Sequence, residues 1–248
     1  MSSPCALSRE PLTIAVAQPQ IELGDVVVNA AVHAAVVAEA DARVVVFPEL
    51  SLTGYSIDAE PIEPTDARLA PIVTACEASG SIAIVGAPVV GRHDDVFIAI
   101  LVVDGAGASV AYRKMWLGGD EPKRFTAGRE PSVVDVDGWR LGLAICKDTR
   151  IAEHAAAVGA LGMDVYVGGV CESAADHGEP ERRARLVADR FGVWVAFASF
   201  AGPTGGGFDD TAGRSGIWRP DGTAAAQLDD RPGRMARAQI SAAASPSC

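Results

Sequence analysis

Short apolar runs recur along the chain, each bounded by polar or glycine-rich positions, and longer alanine-rich amphipathic stretches fall between them. Residues 13–18 read as a strand, 26–40 as a helix and 44–47 as a second strand, while 66–79 reads as a helix leading into strand 82–87. The runs 96–103 and 109–113 are separated by Asp104-Gly105-Ala106-Gly107, the signature of a hairpin. Further on, 141–145 is a wholly apolar strand, 152–161 a helix, 164–167 a strand, 180–191 a helix and 193–198 a strand. Residues 214–240 read as strand and turn, and the ends, 1–10 and 241–248, as loose termini. The order mixes parallel and antiparallel pieces in an α/β chain with no interior linker or repeat. At 248 residues it reads as one domain, 1–248.

Three of these strands end in a chemically capable side chain. The run Leu141-Gly142-Leu143-Ala144-Ile145 delivers Cys146 and is followed at once by Lys147, Asp148 and Arg150. The run Val44-Val45-Val46-Phe47 delivers Glu49, and Ser109-Val110-Ala111-Tyr112-Arg113 delivers Lys114. Loops at strand ends are where binding and catalytic groups gather. Taken singly, each has an ordinary explanation: a small buried thiol, a solvated Pro-Glu pair and a strand-end cation. The three occur together in the order Glu, Lys, Cys.

That order, with its surroundings, resembles the carbon-nitrogen hydrolase (nitrilase/amidase) superfamily. The boxes carrying the resemblance are FPELSLTGY at Phe47–Tyr55, YRKMWL at Tyr112–Leu117 and GLAICKDTR at Gly142–Arg150, with a weaker fourth match at 213–222 closed by Pro220-Asp221-Gly222. The resemblance implies a four-layer α-β-β-α sandwich of two mixed sheets, with subunits paired into a homodimer or higher homo-oligomer. It implies Glu49 as general base, Lys114 as cationic stabiliser and Cys146 as nucleophile, and it matches a second carboxylate of the family to Glu121. Asp120-Glu121-Pro122-Lys123-Arg124 also reads as a plain charged loop. Lys147, Cys171 and Glu172 are the substrate-binding candidates, the last two on the loop 168–173 beside the expected pocket. The chain departs from the family pattern at Trp116, where a histidine is common, at Lys147, where an aromatic is common, and at Ala152, where a proline usually precedes Glu153.

Such a set implies hydrolysis of a non-peptide carbon–nitrogen bond in two stages, with acylation and deacylation sharing one base. An amidase acting on a small molecule is the leading expectation, with N-carbamoyl amino acid hydrolysis or nitrile hydrolysis as alternatives. Glu172 is expected to make the pocket mouth polar and to favour a small amide bearing an amino or hydroxyl group. Readings from other classes are a non-catalytic subunit on the same fold, or a redox-sensing thiol with Cys171 as its resolving partner.

Composition narrows the partners. The four histidines are scattered and the five cysteines form no C-x-x-C pair, so neither a metal site nor a disulfide framework is expected. Glycine-rich 202–207 lacks the lysine and hydroxyl of a phosphate loop, and no cofactor is expected. A net charge of −11 disfavours nucleic acid and anionic membrane alike. The amino-terminal residues show no positive region leading into an apolar stretch, and the localisation expected is cytoplasmic.

Overall fold

The computed structural model describes residues 9–242. Most of the two expected loose ends, with Cys5 and Cys248, lies outside the described residues. In order, the elements are β1 Leu12–Gln18, α1 Val26–Glu39, β2 Val44–Val46, α2 Ala70–Ser79, β3 Ile82–Val90, β4 Val96–Asp104 and β5 Gly107–Arg113. There follow β6 Val133–Val136, β7 Trp139–Ile145, α3 Ala152–Ala160, β8 Val165–Val170, α4 Glu179–Phe191, β9 Trp194–Ser199, β10 Gly216–Trp218, β11 Ala224–Gln227 and β12 Arg234–Ile240.

The strands form two six-stranded sheets, ordered β12-β1-β2-β3-β4-β5 and β11-β10-β9-β8-β7-β6. β1, β2 and β3 run parallel, as do β7, β8 and β9, and the flanking strands pair antiparallel. Alternation along each strand sorts its side chains into separate apolar layers. In β2, Val44 and Val46 face the layer between the sheets, while Val45 faces α1 and α2. In β8, Val165 and Val167 face the inter-sheet layer and Tyr166 faces α3 and α4. The result is the four-layer α-β-β-α sandwich of two mixed sheets.

Local chemistry explains the helix ends. Asp25 caps α1 by accepting from the Val28 amide at 3.0 Å, and α2 and α4 stop at Gly80 and Gly192, both in the left-handed region. The stretch 66–79, expected as one helix, is divided: a 3-10 turn, Ala67–Leu69, is capped by Asp66, and α2 restarts beside Pro71. Proline lacks an amide hydrogen and restricts the residue before it, so a new helix begins there more readily than an old one continues. The strand β6 was not anticipated. Its signal is Asp137-Gly138, with φ of 52° and 81°, the dipeptide of a tight hairpin whose twist matches its strands.

The turn that follows β2 packs tightly against strands of both sheets. A Cβ placed on Gly86 of β3 would lie 2.4 Å from the Leu50 amide nitrogen, and one on Gly169 of β8 would lie 2.8 Å from that of Glu49. Glycine at both positions therefore lets the Phe47–Leu50 backbone pass between two strands. Leu50 itself takes a positive φ of 52° to complete the turn. On the helix side, His33 stacks on Phe47 and its Nε2 meets Ser51 Oγ at 2.9 Å, while burial holds its pKa down to about 4 and keeps the ring neutral. Replacing Gly169 by alanine is expected to cost about 1–3 kcal/mol of stability through overpacking against backbone that cannot yield. Urea unfolding of Gly169→Ala beside the unchanged protein checks this.

Candidate active site

Lys114, after β5, and Cys146, after β7, line one cavity of about 490 Å³, and Glu49, after β2, stands behind Lys114. Lys114 follows β5 and is only 1% exposed. Its Nζ donates to Glu49 Oε1 at 2.7 Å and to Glu121 Oε1 at 2.7 Å, and both carboxylates are equally buried. Glu121 lies in a 3-10 turn, Glu121–Lys123, and is held further by the Tyr55 hydroxyl, which donates to Oε1 at 2.5 Å, and by the Gly118 amide, which donates to Oε2 at 2.8 Å. The plain charged loop expected as one reading of 120–124 is thus split: Asp120 is exposed and paired with Lys123, whereas Glu121 turns inward.

Glu49 Oε2 has no partner among the described residues, which leaves it free to take a proton. Burial raises the Glu49 pKa to about 7; the Lys114 ammonium opposes the rise and the Glu121 charge adds to it. For Lys114, burial disfavours the charged form, but the charges of Glu49, Cys146 and Glu121 outweigh it and hold the ammonium protonated.

Cys146 opens a 3-10 turn, Cys146–Arg150, directly after β7, with a φ of 40° that non-glycine residues seldom adopt. The bend lifts the side chain off the strand, and the partly exposed thiol reaches Cys171 O at 3.3 Å. Burial and the Glu49 charge push its pKa upward against the pull of Lys114, so the resting group is the thiol. Cys171 lines the cavity, with its own thiol pushed well up by burial. Lys147 lies at the rim, its ammonium donating to Leu117 O at 2.5 Å.

Glu172 lines the same cavity, 4.0 Å from Cys146 Sγ, but it is not an open acidic mouth. It is 3% exposed and clamped between Arg150 at Oε2 and Arg183, which donates to Oε1 at 2.5 Å. Its charge is already balanced by two guanidiniums, so the expected attraction for an amino-bearing substrate has no free carboxylate behind it. Arg183 was missed in the sequence. Its signal was an arginine among Pro180, Ala184, Val187 and Ala188, on the buried face of α4. Two aromatic side chains line the cavity, Tyr55 and Phe208, whose rings meet edge to face at 4.8 Å. Truncating Glu172 to alanine strands the buried Arg183, and a loss of about 3–5 kcal/mol is expected in chemical denaturation.

The carbon-nitrogen hydrolase family model matches residues 13–245. A hydrolase encoded in the pqqF 5′ region of Pseudomonas protegens is 28% identical over 214 residues, covering 80% of this chain and 72% of that protein. A hydrolase of Mycobacterium tuberculosis is 31% identical over 127 residues, 48% of this chain and 45% of that protein. Among solved structures, an amidase from Nesterenkonia sp. superposes with a TM-score of 0.82 at 23% identity, covering 94% of this chain and 91% of that one, a likeness of fold. A mutant of the Nesterenkonia sp. AN1 amidase shows Michael addition of acrylamide at its active-site cysteine, with a TM-score of 0.81, 22% identity and coverage of 92% and 93%. Among the described residues no helix is long and apolar enough to cross a membrane.

Proposed function

The chain belongs to the carbon-nitrogen hydrolase family, and from that premise we propose that it hydrolyses small linear amides through a thioester on Cys146. The observation that carries this reading is the buried Lys114 ammonium bridging Glu49 and Glu121 on the cavity that also holds Cys146. Two carboxylates and a cation taken out of water are costly to maintain for stability alone, and their convergence on a thiol has a chemical use.

In the proposed reaction the thiol is not a standing thiolate. Glu49 takes the Sγ proton as sulfur attacks the amide carbonyl carbon, which moves negative charge from the carboxylate to sulfur and then to the carbonyl oxygen. Lys114 stands beside that charge throughout. The backbone amide of Lys147, at the start of the turn where N–H groups lack partners within the turn, is the second donor to the oxyanion. Collapse of the tetrahedral intermediate breaks the C–N bond, and the proton held by Glu49 passes to the leaving nitrogen. Glu49 then deprotonates a water that attacks the thioester, and the returning proton restores the thiol. The balance is amide plus water to carboxylic acid plus amine or ammonia. Glu121 acts through Lys114, holding it in place with help from Tyr55 and Gly118.

The cavity favours a short acyl group. Phe208, Tyr55 and Ile57 give it apolar walls, and the Arg150–Glu172–Arg183 cluster closes one side. Ammonia release from a panel of small aliphatic amides, N-carbamoyl amino acids and nitriles is expected to be greatest with the amides and to vanish in Cys146→Ala. Nitriles outperforming amides would overturn the amidase assignment, and turnover by Cys146→Ala would overturn the thioester. Glu49→Gln is expected to lower kcat by about 100- to 10,000-fold, the range for loss of a general base.

The base must be ionised to act, and Glu49 is ionised above its pKa of about 7. The value of kcat/KM should therefore climb tenfold per pH unit on the acid side, level off above about 7, and stay level into the alkaline range, since thiol and ammonium are both shifted upward. A profile already flat from pH 5 would contradict this.

A further inference from the structure

Asp148 carries none of the chemistry described above, yet it is fully buried and accepts three hydrogen bonds from two different strand ends. Its Oδ1 accepts from the Trp116 amide at 2.9 Å. Its Oδ2 accepts from the Tyr112 hydroxyl at 2.8 Å and from the Ile145 amide at 3.0 Å. Tyr112 and Trp116 stand two residues before and two after Lys114, and Ile145 immediately precedes Cys146. One carboxylate thus joins the end of β5, in the first sheet, to the end of β7, in the second.

We propose that Asp148 is a positioning residue that fixes the Lys114 backbone relative to Cys146. The proposal rests on the thiol-hydrolase reading and deepens it by naming what sets the spacing between ammonium and sulfur. The bonds of Asp148 converge from two sheets, and beside them the Lys147 ammonium, donating to Leu117 O at 2.5 Å, is a second and more exposed tie, so loss of Asp148 loosens the two strand ends relative to each other. Three donors meet two oxygens, and no neutral isostere can reproduce that arrangement. In Asp148→Asn the amide group must face at least one N–H or O–H donor with a donor of its own.

The clamp is held from behind by a chain of neutral groups. Tyr112 Oη lies 2.9 Å from His154 Nε2, and His154 Nδ1 lies 2.7 Å from Tyr166 Oη. Because Tyr112 gives its proton to Asp148, its oxygen must accept from Nε2–H, and Nδ1 must accept from the Tyr166 hydroxyl. His154 is fully buried. Every polar atom of the chain is used in this arrangement, which anchors the clamp to α3 and β8. Trp116 packs edge to face on His154, with ring centroids 5.5 Å apart.

The test compares the unchanged protein with Asp148→Asn, Tyr112→Phe and the double variant, each shown to be folded by thermal unfolding. Two assays are read: the kinetics on the best amide of the panel, giving kcat and KM, and the rate at which iodoacetamide alkylates Cys146, followed by mass spectrometry. Asp148→Asn is expected to lower kcat and the alkylation rate by about 10- to 100-fold with KM within threefold. Tyr112→Phe should lower both by a smaller factor, and the double variant should be no worse than Asp148→Asn, because both changes open the same clamp.

Unchanged kcat and alkylation in folded Asp148→Asn would overturn the inference, as would losses that multiply in the double variant. Should Asp148→Asn fail to fold, Tyr112→Phe alone decides by the same two readouts. If no amide is turned over, the hydrolase reading fails by itself, and the alkylation rates still decide the role of Asp148.

Discussion

One buried ammonium held between two buried carboxylates is the constraint around which this molecule is arranged. Lys114, Glu49 and Glu121 are each at most 2% exposed, so all three have been taken out of water. In water their attraction would be modest, but in the interior each carboxylate depends on the lysine and the lysine on both. Burial is the main reason that Glu49 binds its proton more tightly than an exposed carboxylate does, with the Lys114 charge working against it and the Glu121 charge with it. A base poised near neutrality is the product of that crowding, and its unpartnered Oε2 is the place the proton goes.

The sandwich supplies the rigidity such a cluster needs. Glu49 and Lys114 come from one sheet and Cys146 from the other, so the site exists only where the two sheets are in register. The glycines at 86 and 169 let the Glu49 turn lie between strands, and His33, Asn29 and Ser51 tie that turn to α1. The positive φ of Cys146 is a local strain maintained by its surroundings, among them the Thr149 hydroxyl, which donates to Cys146 O at 2.6 Å. Arg150 and Glu172 also line the cavity, and the Arg150–Glu172–Arg183 group, two guanidiniums on one carboxylate, carries one net positive charge.

Much of this was legible in the chain. Buried parallel strands are continuous apolar runs, so β2, β7 and β8 stood out, and the functional groups at their ends stood out with them. What was hidden depended on facts no local pattern contains. Asp120 and Glu121 look alike in sequence, and only the geometry of the 3-10 turn sends one outward and the other to Lys114. Glu172 read as a free acid because its partner Arg183 is 11 residues away on another element. β6 was overlooked because its four residues include an aspartate and its signal lies in the turn that follows. The division of 66–79 has its signal in Pro71, beside which α2 begins.

The central claim is that this buried charge cluster turns Cys146 into an acyl carrier. Rapid acid quenching of the protein during turnover of a short aliphatic amide, followed by peptide mapping, tests it most directly. The account predicts the acyl mass on the peptide containing Cys146, and none on the peptides holding Cys76 or Cys171. Turnover with that cysteine never acylated, or with the acyl group on another residue, would contradict it.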